Sequence, residues 1–214
     1  ANQGYVTLNG LSPGTTYYFQ IEATNTAGTA TSTIGSFTTL SPLTPLTIAE
    51  YSFDNTYNNL LGSAPFASNA GTSFTTDRHG NTSGAININS TGSTATILNL
   101  PYGNASRTVS LWVKTNTMNS DYNMVFSYGQ GSGSNAFGSS YNATVCELFG
   151  FANNLSIASV NTNTTWYHFV YTYDGTNAKI YKNGALLTTV PKTWNTLNSS
   201  NIFKLGIGVG NEFL

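Results

Sequence analysis

TWYHFVYTYDGTNAKIYKNGALLTTV, residues 165–190, holds three apolar runs separated by two dipeptides, Asp174-Gly175 and Asn183-Gly184. Both dipeptides accept the positive φ that a tight hairpin turn demands, so the stretch predicts three antiparallel strands in a meander. The same grammar extends outward in both directions. SGAININ, STATILNL, RTVSLWVKT, NMVFSYG, ATVCELFGF and IFKLGIGV are strand-sized and bounded by Gly, Asn, Ser or Pro. No helical period of useful length interrupts them, and many short strands at regular spacing predict an all-β sandwich or jelly roll. In RTVSLWVKT, Val109, Leu111 and Val113 share one parity and are expected to face the core. Trp112 lies on the other parity with Thr108, Ser110 and Lys114, under a loop or on the outer face.

The first forty residues read separately. Val6 and Leu8 alternate with polar neighbours as a first strand, and Tyr17, Phe19, Ile21 and Ala23 give a second strand one apolar face. A third is expected near Thr33–Thr39, and Leu11-Ser-Pro13-Gly14-Thr15 supplies a turn between the first two. Pro42 and Pro45 interrupt any ladder and predict an extended linker over 41–46, with a new strand opening at Leu46–Phe53.

Two resemblances rest on these runs. Leu11-x-Pro13-Gly14-Thr15-x-Tyr17-x-Phe19-x-Ile21-x-Ala23-x-Asn25 resembles the E–F corner and F strand of a fibronectin type III domain, which implies that residues 1–40 are its C-terminal strands and Tyr17 its corner tyrosine. AEYSFD, TTDRHGNTSGAI, RTVSLWVKT and TWYHFVYTYDGTNAKIYKNGALL, in that order, resemble the laminin G-like, concanavalin A-type antiparallel jelly roll over residues 47–214. Family members close the jelly roll with a further strand containing an Ile-Asp-Asp run, and this sequence stops at GVGNEFL before it, so an unpaired strand position and a longer parent polypeptide are expected. The resemblance also implies a bacterial surface or secreted protein and one calcium at the rim. Asp54 is the matching acidic side chain, and an Asx turn is an equal reading of it.

Composition narrows the function classes. Of 214 residues only 7% are charged and the formal net charge is −1, so there is no basic footprint for nucleic acid. Asn, Ser and Thr make up roughly two-fifths of the chain, far above ordinary usage. No apolar stretch approaches the length of a membrane span. The lone Cys146 excludes an intrachain disulfide and reads as a buried small hydrophobe.

Catalysis finds little support in the residues. Glucanases of this architecture resemble one another in a Glu-x-Asp-x-x-Glu strand, and neither Glu50 nor Glu147 has carboxylates at those spacings. A glycosidase of the usual kind needs two carboxyl groups flanking the bond. His168 reads as a core or interface imidazole, and His79 as part of a hydrogen-bonded turn, DRHGN.

Binding is what remains. Loop aromatics Trp194, Tyr102 and Tyr141 are the candidates for sugar contact, beside abundant amides and hydroxyls. The expected function is a non-catalytic extracellular binding or adhesion module for a glycan or cell-surface ligand, within a larger multidomain protein. Scarce charge favours a neutral ligand and a small salt effect. Two readings stay open beside it: a ligand-free spacer of a surface stalk, and an accessory domain of a secreted glycan-degrading enzyme.

Overall fold

The computed structural model describes residues 6–40, 46–89, 91–118, 123–197 and 200–210, and its chain divides into two compact units, Ala1–Leu46 and Thr47–Leu214. The Pro42–Pro45 linker and the last four residues of GVGNEFL lie outside the described residues.

In the first unit, β1 (Thr16–Phe19) pairs antiparallel with β4 (Gly35–Thr38), and β2 (Glu22–Asn25) pairs with β3 (Gly28–Thr31). The strand expected as one run from Tyr17 to Thr24 is broken at Gln20 and Ile21. Ile21 N donates to Ser32 Oγ, and Ser32 N donates back to Ile21 O, so the chain changes partners there. Val6–Asn9 forms no strand; Val6 is 84% exposed and gains no apolar cover. Ser12 N donates to the Tyr17 hydroxyl at 2.8 Å, while the Tyr17 ring stacks on Phe37.

The second unit is a two-sheet sandwich. A hairpin of β5 (Thr72–Thr75) and β6 (Ala85–Ile88) precedes it. The larger sheet is built from β7 (Ser93–Thr96), β9 (Asn123–Gly129), β10 (Ala136–Tyr141), β11 (Val145–Phe149), β12 (Leu155–Ala158) and β16 (Ile202–Leu205). The smaller comprises β8 (Arg107–Val113), β13 (Tyr167–Tyr173), β14 (Asn177–Lys182) and β15 (Ala185–Pro191). Their orders are β12-β11-β10-β9-β16-β7 and β15-β14-β13-β8, and β8 pairs only with β13 among the described residues.

The meander forms as the dipeptides require. Asn183 and Gly184 adopt φ of 50° and 83° between β14 and β15, a turn that suits the right-handed twist of the flanking strands. Asp174 Oδ1 accepts from Thr176 N and Asn177 N and so closes the β13–β14 turn. Along β13, burial alternates strictly: Tyr167, Phe169, Tyr171 and Tyr173 point inward, and His168, Val170 and Thr172 outward. On β8, Val109, Leu111 and Val113 pack against the core as their parity predicts.

Aromatic rings fill the space between the sheets. Phe126 stacks on Phe203 at 5.5 Å and tilts against Tyr171 from the facing sheet at the same distance. Cys146 is fully buried among them. Leu46–Phe53, expected as a strand, joins no ladder. Its backbone bonds instead to a neighbouring loop, Glu50 N to Asn59 Oδ1 and Glu50 O from Leu60 N, while Tyr51 and Phe53 still pack against the core.

Candidate functional site

Strand periodicity places a row of side chains on the outer face of the four-stranded sheet. Trp112 on β8 and His168 on β13 are register partners, and His168 N donates to Asn183 Oδ1 at 2.9 Å, so Asn183 continues the row at the β14–β15 turn. Trp112 is 44% exposed, and its indole stacks on the His168 ring with centroids 5.1 Å apart. His168 Nε2 shares a 2.9 Å hydrogen bond with Ser110 Oγ, which holds the imidazole in place. Trp166, on the parity of His168 just before β13, completes the group. Together Trp112, Trp166, His168, Asn183 and Gly184 line an open depression of about 540 Å³.

Two cations border it. The Arg78 guanidinium lies 4.7 Å from the centre of the Trp112 ring, and Lys114 Nζ lies 5.1 Å from that of Trp166. Such contacts draw on the negative face of the indole. Arg78 is carried by a turn that Asp77 braces: its Oδ1 accepts from His79 N and Asn81 N, its Oδ2 from Asn81 Nδ2. Burial pushes against ionisation of Asp77, yet these donors together hold its carboxyl below the usual range.

A second depression, of about 340 Å³, is lined by Asn153, Gly175, Thr176, Pro191, Lys192 and Thr193. No aromatic side chain lines it, and Lys192 Nζ is already bonded to Asn153 Oδ1 and Asn154 O. The Trp112 face is the better binding surface on both counts.

The aromatics singled out from the sequence go elsewhere. Trp194 is 1% exposed; it packs on Tyr173 and Phe137, and its Nε1 donates to Asn153 O at 2.8 Å. Tyr141 is also 1% exposed, bonded to Thr115 Oγ1, and burial pushes its hydroxyl up to about 12. Both are core residues with no face for a ligand: Tyr141 is no loop residue but the last residue of β10, and Trp194, after β15, packs into the same core cluster. Tyr102 is exposed, but its hydroxyl bonds Asn201 Oδ1, away from the depression's lining.

Asp54 is exposed and its backbone N–H reaches Ser52 Oγ. Among the described residues no three His, Cys, Asp or Glu side chains gather to hold a metal.

His168 is not a core imidazole. It sits on the outer parity, half-buried, because every inward position of β13 is taken by a tyrosine or phenylalanine. Trp166 escaped notice in the sequence, although its parity with His168 matches that of Trp112 with Lys114. Reading the two strands' even positions against each other would have found the row.

Comparison with known proteins fits this architecture. The model of the concanavalin A-like lectin/glucanases superfamily matches residues 89–213. Among solved structures, domain 4 of a GH43 extracellular arabinanase from Geobacillus stearothermophilus, in complex with arabinotriose, is similar at 20% identity and a TM-score of 0.58. That match covers 75% of this chain and 83% of the other. No curated protein matches the chain in sequence.

Proposed function

The chain belongs to the concanavalin A-like lectin/glucanases superfamily, and we propose that its jelly roll is a non-catalytic carbohydrate-binding module acting outside the cell. The observation that carries this reading is the outer row at Trp112. Two indoles, an imidazole and an amide surround one open depression. Sugar C–H faces pack against aromatic rings, and sugar hydroxyls need a few fixed polar groups beside them. The likeness to an arabinanase domain holding arabinotriose supports a sugar as the ligand and a parent glycan-degrading enzyme as the setting. No helix among the described residues is long and apolar enough to cross a membrane.

The test is a glycan panel probed with the intact chain and with Trp112→Ala. Binding that Trp112→Ala abolishes supports the reading. Binding that survives it moves the site elsewhere, and silence across the panel favours a ligand-free spacer.

A further inference from the structure

We infer that the sugar taken on the Trp112 face carries a carboxylate, an inference that rests on the glycan reading above. The basic side chains of the chain divide by what they point at. Seven Lys and Arg residues occur in the chain. Arg107, Lys182, Lys192 and Lys204 turn back onto the protein, donating to the carbonyls of Gly103, Val160, Asn154 and Gly208 respectively. Lys179, on the outer parity of β14, lies near the Asp174 carboxylate and helps lower its pKa. Arg78 and Lys114 do neither. Among the described residues each rests against an indole and makes no hydrogen bond or ion pair. Those indoles are the ones that line the depression.

The neighbouring acid does not cancel them. Asp77, next to Arg78 in sequence, is turned into its own loop by three N–H donors. The Asp77–Gly84 turn is closed further by Asp77 N to Asn81 O and Gly84 N to Asn81 O, so Arg78 is presented from a braced loop. A guanidinium lying over an indole keeps its N–H edge available, and that edge forms a planar fork matched to a carboxylate. Lys114 adds a second positive charge on the Trp166 side. In a chain with so few charges, two cations unpaired among the described residues, at the rim of an aromatic-lined depression, are a specific device for an anion. The neutral ligand expected from overall composition is replaced by an acidic one, because local placement governs binding and net charge does not.

The experiment titrates the full chain with oligogalacturonate and oligoglucuronate, each beside its carboxyl-reduced counterpart, at low and high salt. The expected result is at least about tenfold tighter binding of a uronate than of its reduced partner, the scale of one charge-assisted contact. That preference should shrink at high salt and vanish in Arg78→Gln, while Trp112→Ala removes binding of both sugars. Unchanged thermal midpoints establish that these surface variants are folded. Equal or tighter binding of the reduced sugars, with Trp112→Ala still abolishing it, overturns the carboxylate and leaves the glycan reading standing. Binding of a sulfated sugar in preference to the uronates also overturns it. Absence of any sugar binding sinks both.

Discussion

Trp112 and His168 face each other across β8 and β13 with their rings 24° from parallel, on the side of the sheet turned away from the core. Their opposite-parity neighbours, Leu111 and Phe169, are also paired, and these point into the sandwich. One pair of strands thus supplies an exposed aromatic face and a core wall from alternate residues.

Trp112→Ala is therefore expected to separate function from stability. An exposed side chain contributes little to folding, so the variant should unfold within about 1 kcal/mol of the parent. Its sugar affinity should fall by about tenfold or more, as for a central aromatic in an interface. Paired denaturant melts and binding titrations read the two effects.

Arg107 occupies an inward position of β8 and is 6% exposed. It donates to Ala105 O at 2.8 Å and Gly103 O at 2.7 Å and lies over the rings of Phe137 and Tyr173. Arg107→Ala takes this donor from Ala105 O, leaves Gly103 O only the Thr196 N–H, and opens a void between rings, a loss of about 3 kcal/mol or more. Arg107→Lys should recover only part of it, because an ammonium cannot fork to both carbonyls. Chemical denaturation of the two variants checks the order.

Lys182 ties the end of β14 to the segment after β12. Its Nζ reaches Asn161 Oδ1 at 2.7 Å, Val160 O at 2.6 Å and Ser159 Oγ at 3.2 Å, and sits 4.1 Å from the centre of the Tyr167 ring. Lys182→Met removes every one of these donors while keeping an apolar stem. A loss of about 1.5–3 kcal/mol is expected, the range for hydrogen bonds to a charged group. Hydrogen exchange should show the loosening first around Ser159–Asn161.

Asp174 predicts a pH effect whose sign follows from its turn. The backbone N–H groups of Asn177 and Thr176 lower its pKa, so the folded state prefers the carboxylate. Its contribution is fully present above the unfolded value of about 3.9 and is lost as pH falls through the lower folded value. In Asp174→Asn that portion of the acid-side loss should disappear. Thermal midpoints measured from neutral pH downward should converge for the two proteins in acid.

Alternation and turn chemistry are local properties, and they were legible in the residues. The two dipeptide turns, the parity of β8 and the all-β architecture followed from a period of two and from which side chains tolerate positive φ. Those signals depend on neighbours a few residues apart, so no distant contact was needed to read them. Where a segment's fate hung on a distant partner, local reading failed. Leu46–Phe53 alternates like a strand yet joins no ladder, since its backbone groups are claimed by the loop carrying Asn59 and Leu60.

The site divides along the same line. Sequence alone determined that Trp112 leaves the core, because a strand offers only two faces and Val109, Leu111 and Val113 take one of them. It also made Trp194 and Tyr141 look like loop aromatics, although Tyr141 ends β10 and Trp194 follows β15, since nothing local says what packs against either ring. Only the tertiary structure decided that these two rings close the core, and that Arg78, thirty-four residues before Trp112, lies over its indole. Burial and long-range ring contacts are set by packing between elements far apart in the chain, and that information is not carried by the period of any single strand.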